Sequence, residues 1–279
     1  MFGIVPARLF TAIVLVALAA TSVNAQENVL GYWAPLYHED FEERLPGPWV
    51  GDYLGLPINA AARLRAVSWD ASLLSVPEHQ CKPHPSTYGT RGIGALRIWE
   101  DRDPLTQRVA KIHIYIEWQE QHRVIWMDGR PRPPPHALHT WQGFSTGTWE
   151  EGVLTVRTTH LKEAWIRRNG VPHSDRAAMT ERFYRHGDLL THVMAIEDPV
   201  YLTEPLVKST DFELVTNATV APYPCEEVVE VVRPDGFVPH YLSGENPTLD
   251  EFATRHGLPF EATQGGAETA LPEYAERLR

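Results

Sequence analysis

His79-Gln80-Cys81-Lys82-Pro83-His84 places two imidazoles and a thiol within one short run, the H-x-C-x-x-H spacing of a soft-metal site. A tight zinc site draws on a second ligand cluster, and the one other cysteine, Cys225, has no histidine near it in the sequence. The competing reading is a Cys81–Cys225 disulfide. Such a bridge closes a loop of more than 140 residues; the chain-entropy model gives it at most roughly 4–5 kcal/mol. The disulfide is preferred, and no metal or other cofactor is assigned.

Gly143-Phe144-Ser145-Thr146-Gly147 fits G-x-S-x-G, which does chemistry when a strand delivers the serine to a sharp turn and a helix follows. Here the run leads into Trp149, a glycine turn and a Val/Thr-rich strand, so the glycines are read as permitting close strand packing or a bulge. Asp128-Gly129-Arg130 through His139-Thr140-Trp141-Gln142 gathers acid, base, imidazole and indole around a proline-stiffened loop. An Asp128/Arg130 pair can anchor a polar group while Trp141 covers an apolar one. The simpler reading is a turn aspartate, a solvated arginine and a tryptophan plugging one end of a sheet.

The chain holds 13 histidines and 9 tryptophans. His113, His160 and His192 fall on predicted strands; two of them facing one cavity with Glu117 or Glu181 would make an acid–base pair. Trp118, Trp126, Trp141, Trp149 and Trp165 lie in or beside the same strands, either lining a cavity or filling a barrel. Arg167-Arg168, in a turn-rich loop, is read as solvated or as a lure for an anion.

These residues need a scaffold, and the pattern supplies one. Asn59 to Leu74 reads as a helix capped by Asn59. From about Ala95 the period changes to two: Lys111-Ile112-His113-Ile114-Tyr115-Ile116 alternates strictly, with the isoleucines on one face. Further strands are predicted at Arg123 to Met127, Val153 to Thr159, Met179 to Tyr184, Leu189 to Ile196 and Val207 to Leu214, with short glycine turns between several. Close strands without intervening helices predict a mainly β chain, a single antiparallel barrel of lipocalin or calycin type. The barrel domain is placed at residues 26–245 with its N-terminal helical segment. A short helical tail at 246–279, opened by the capping box Thr248-Leu249-Asp250-Glu251 and stopped by Gly257, packs on it.

Residues 1–25 read as a secretory signal peptide: Arg8, an apolar run from Leu9 to Ala20, then Val23-Asn24-Ala25 and cleavage. Removal leaves 254 residues with a charge of −12. That acidic balance argues against nucleic-acid binding. No apolar run reaches the ~20 residues of a membrane span. Nothing in the sequence sets an oligomeric state.

The order of blocks is itself specific. Trp126-Met127-Asp128-Gly129-Arg130-Pro131, then Trp141-Gln142-Gly143-Phe144-Ser145-Thr146-Gly147-Thr148-Trp149-Glu150, then Gly170-Val171-Pro172-His173-Ser174, Thr180-Glu181-Arg182-Phe183 and Ile196-Glu197-Asp198-Pro199 resembles a large set of secreted bacterial proteins of unknown function. The resemblance, from about Gly55 to Cys225, implies export and an independently folding β-rich domain; it implies no reaction.

The leading expectation is a periplasmic or secreted barrel binding a small, partly apolar ligand through Asp128, Arg130, His139, Trp141, Trp149 and Arg157. The rival is an exported hydrolase or isomerase moving protons with Asp128, His139 and Glu181. A scaffold without a pocket is the third.

Overall fold

The computed structural model describes residues 28–44, 47–75, 77–219, 225–227 and 232–278. The expected leader, residues 1–25, lies outside them. The period-two segments become strands: β1 Gly31–Pro35, β2 Leu96–Arg102, β3 Val109–Ile116, β4 Gln121–Trp126, β5 Phe144–Glu150, β6 Val153–Thr159, a small pair β7 Ala164–Trp165 and β8 Pro172–His173, then β9 Ala178–His186, β10 Leu189–Glu197 and β11 Leu206–Leu214. Nine of them close into a barrel in the order β1-β11-β10-β9-β6-β5-β4-β3-β2.

The predicted antiparallel barrel therefore forms, with one correction: β4 and β5 run parallel. The cause lies in the connection, residues 127–143. Its prolines, Pro131 and Pro133 to Pro135, favour an extended path that carries the chain back along the barrel. The next strand then starts from the same end as the last. By contrast, β5 and β6 join through Glu151-Gly152, both at positive φ (51° and 86°), the two-residue turn that antiparallel partners require.

The register explains the core. Ile98 faces Ile114, Ile112 faces Ile125, Leu154 faces Phe183 and Leu190 faces Phe212, all inward. With Trp33 and Val156 they form one continuous buried cluster. The lumen is thus filled with side chains, not open for a ligand. Large β-branched and aromatic side chains fill it, as a narrow barrel requires. Of the sequence's tryptophans, Trp33 is in this core, and Trp118 and Trp149 pack against it.

One mouth is capped. Helix α1 (Phe41–Arg44) is followed by α2 (Ala60–Val67), which is shorter than predicted; Asn59 Oδ1 accepts from Ala62 N at 3.0 Å as its cap. A new turn begins where Asp70 captures Ser72 N at 2.9 Å, so the chain breaks there. Ala62 and Ala66 pack with Ile166, Val171, Met179, Met194 and Ile196 over that end of the barrel. Two single-turn helices follow, α3 (Pro77–Gln80) and α4 (Ser86–Gly89). The tail carries α5 (Glu251–His256) and α6 (Pro272–Arg277). Helix α5 starts later than the capping box predicts because Thr248 Oγ1 bonds Asn246 at 3.0 Å instead; Gly257 ends it at φ 61° as expected. The tail is pinned to the 51–58 segment by Tyr53 N→Thr263 O at 3.0 Å and Gly266 N→Leu56 O at 2.7 Å.

Cys81 and Cys225 are disulfide-bonded, with Cα atoms 5.6 Å apart. The bond removes the thiolate from the H-x-C-x-x-H run. Among the described residues no helix is long and apolar enough to cross a membrane.

Candidate functional site

The parallel junction is also the weakest seam of the barrel. Strands β4 and β5 pair only at Ile125↔Ser145 and Trp126↔Thr146. Gly147 brings them together there, since a Cβ would lie 2.7 Å from Met127 Sδ and 2.8 Å from Ile125 Cγ2. Above this pinch the strands diverge and leave a groove of about 430 Å³, walled by Pro83, His122, Val124, Trp141 and Phe144, with Arg123 and Ser145 at its inner end.

Strand alternation says what the groove offers. Met127 N bonds Ala110 O at 2.9 Å, so the odd residues of β4 exchange hydrogen bonds with β3. The backbone N–H and C=O of His122 and the N–H of Val124 therefore turn toward β5 where it has diverged; the Val124 C=O is used by Ser145 in the Ile125↔Ser145 pair.

Behind the groove lies a closed polar network. Arg123 is 5% exposed. Its Nη1 donates to Glu181 Oε1 at 2.9 Å and its Nη2 to Glu181 Oε2, while Nε donates to Ser145 Oγ at 3.0 Å and Nη2 to Thr158 Oγ1 at 2.6 Å. His192 Nε2 donates to Glu181 Oε1 at 3.0 Å, its ring stacked on Phe183 at 4.4 Å. Every member occupies an inward register position: Arg123 opposite Ile114, Ser145 opposite Thr158, Val156 opposite Glu181, Phe183 opposite His192. Burial pushes the Glu181 carboxyl up, but the Arg123 guanidinium and the His192 N–H outweigh it and hold it down at about 2.

At the rim, Trp141 lies under two cations, Lys82 Nζ at 4.7 Å and Lys162 Nζ at 5.0 Å from its ring. On the outer face of the barrel, His122 Nε2 meets His113 Nδ1 at 2.9 Å and His113 Nε2 meets Asp101 Oδ2 at 2.9 Å, with Trp99 stacked on both rings. His113 thus belongs to the solvent side, opposite the isoleucines. Burial, then the neighbouring His113, lowers the His122 pKa against the pull of Asp101.

The residues singled out from sequence divide among several places. Trp141 lines the groove. Asp128 and Arg130 pair at 2.5 Å on the surface, with the guanidinium 3.4 Å over Trp126 at the groove's lower edge; the Arg130 hydrogen bond holds the Asp128 carboxyl below its usual range. Glu181 stands behind Arg123, fully buried. His139 Nδ1 bonds Leu161 O at 2.8 Å and its ring lies beside His160, in a separate surface depression. Arg157 points outward to Thr180 and Glu197. Trp149 packs into the core. His160, predicted on a strand, follows β6 at φ 58°. Asp128, His139 and Glu181 have separate partner sets. Ser145 Oγ bonds Arg123 and Thr158, with no imidazole against it, so the nucleophile-elbow geometry is absent.

Sequence reasoning passed over Arg123, His122 and Lys82. For Arg123 a signal existed: in Gln121-His122-Arg123-Val124-Ile125, alternation puts the arginine on the face of Ile125, and Glu181 shares the face of Met179 and Phe183. Opposite charges on inward faces of two strands mark a buried pair. Compared with known proteins, no family model matches the chain, and no curated protein or solved structure matches it.

Proposed function

We propose that the chain is an exported barrel that binds a small, partly apolar ligand in the groove between β4 and β5. One observation carries this: where the barrel wall leaves its strands unpaired, it presents indole and phenyl walls beside free backbone donors and acceptors and a guanidinium edge, the mixture that small-molecule sites use. The Cys81–Cys225 bridge supports the exported setting, as does the resemblance to secreted bacterial proteins. The acid–base alternative is less favoured, because the Glu181 carboxylate is enclosed and held ionised by Arg123.

The test combines native mass spectrometry of protein recovered from an exporting host with thermal unfolding against naphthol and short aryl alcohols. A ligand at a hundredfold excess over Kd raises Tm by about 5–10 °C, and Trp141→Ala and Phe144→Ala abolish the shift while circular dichroism stays native. No retained mass and no shift with any probe would leave the scaffold reading in its place.

A further inference from the structure

Two histidines on the outer wall are joined in a directed chain that ends at the seam groove. His113 of β3 and His122 of β4 lie diagonally across the strand pair, His113 opposite Val124 and His122 opposite Tyr115. Their facing nitrogens are 2.9 Å apart, the ring centroids 5.1 Å apart and the planes within 15° of parallel. The rings therefore meet edge to edge, which sets an N–H in line with a lone pair. Trp99 of β2 stacks on both, at 6° and 11°, and holds them in one plane.

The direction of the chain follows from its anchored end. Asp101 is a carboxylate with Lys111 Nζ at 3.9 Å, so it accepts and does not donate. His113 Nε2, 2.9 Å from Asp101 Oδ2, must then carry the hydrogen. A neutral imidazole has one N–H, so His113 Nδ1 is the acceptor and His122 Nε2 the donor. The same rule leaves His122 Nδ1 as a bare lone pair. Among the described residues nothing bonds that nitrogen, and His122 is exposed where it borders the groove. Burial, then the neighbouring His113, lowers the His122 pKa, which keeps the ring neutral and accepting at neutral pH.

We propose that the ligand of the seam groove is an aryl alcohol, its O–H donated to His122 Nδ1 and its ring lying between the walls formed by Trp141 and Phe144. This rests on the ligand-binding function proposed above and names the chemistry which that function leaves open. Asp101 and His113 act as positioning residues: they fix which nitrogen of His122 meets the ligand bare.

Naphthol and methoxynaphthalene, titrated into the full chain at neutral pH, test it, because the ether keeps the body and removes the donor. Naphthol is expected to bind about two- to tenfold tighter. His122→Phe, at an exposed strand position, should erase that preference and leave the affinity for the ether unchanged. Nitrogen-15 NMR of the imidazoles reads the chain itself. His122 Nδ1 should carry no hydrogen, and Asp101→Leu should mix the tautomers of both rings and shrink the naphthol preference. An ether that binds at least as well as naphthol, a preference that survives His122→Phe, or a hydrogen on His122 Nδ1 overturns this proposal while the ligand-binding function stands. If neither compound binds, this proposal falls, and that function falls with it only when native mass spectrometry also finds no retained ligand.

Discussion

Two carboxylates, the buried Glu181 and the half-buried Glu43, sit in opposite electrostatic circumstances. Glu181 faces one arginine held bidentately and one imidazole N–H, and Ser145 and Thr158 take up further donors of that arginine. Glu43, in α1 at the capped mouth, is shared by three cations: Lys208 Nζ at 2.8 Å, Arg91 Nη2 at 3.0 Å and Arg167 Nε at 3.6 Å. Each has another acceptor, Ile166 O for Lys208, Asp40 for Arg91 and Asp52 for Arg167. Beside them Arg44 is fully buried, with none of its three nitrogens partnered. The first cluster is matched charge for charge by strand register. The second carries more positive charge than its carboxylates absorb. Balanced pairing comes from the sheet, and surplus comes where loops converge.

The largest expected effect tests the balance directly. Glu181→Gln leaves Arg123 buried without its counter-charge and should cost about 3–5 kcal/mol in urea unfolding. The double variant Arg123→Met/Glu181→Met should recover most of that loss. A double variant no better than the single one would mean that the network does more than neutralise itself.

Acid separates the contributions by window. His84, 4% exposed with both ring nitrogens unpartnered, is brought by burial, and by nearby Arg168, from 6.5 to about 3. The unfolded chain then binds a proton that the folded one refuses. Stability is complete above pH 6.5 and falls by up to about 1.4 kcal/mol per unit on acidification toward pH 3. Glu181, lowered from 4.5 to about 2, contributes stability that is intact above pH 4.5 and lost below it. Urea midpoints at pH 7.5, 6 and 5 should therefore decline in the native chain and decline less steeply in His84→Gln, where the depressed His122 and His173 leave a residual slope above pH 4.5. Equal slopes would remove His84 from the account.

The smallest effect has the opposite sign. Arg44→Met replaces an unpaired buried guanidinium with a flexible apolar chain of similar reach and should raise stability by about 1 kcal/mol. A loss instead would show that the surplus charge at the capped mouth is in use.

The same contrast explains what could be read in advance. Alternation at Ile112, Ile114 and Ile116, and the glycine turns, located the strands, because a half-buried sheet writes its register into the sequence. The parallel junction was not legible, since alternation carries no strand direction and the proline crossover reads only as extended chain. Trp141 stood out by residue type, and the Arg123–Glu181 pair was recoverable from charges on inward faces. The Glu43 cluster had no such signal. Its members, from residues 40–52, 91, 167 and 208, meet only after the barrel has closed.

A barrel closed at every other junction by longer strand pairing behaves like a cask with one loose stave. Thermal fluctuation spends itself where the fewest backbone bonds must break, and β4 and β5 share only two paired positions. A molecule wedged between them would act as caulking: it would lock the stave, slow the breathing of the whole wall, and make occupancy legible as rigidity far from the place where it sits.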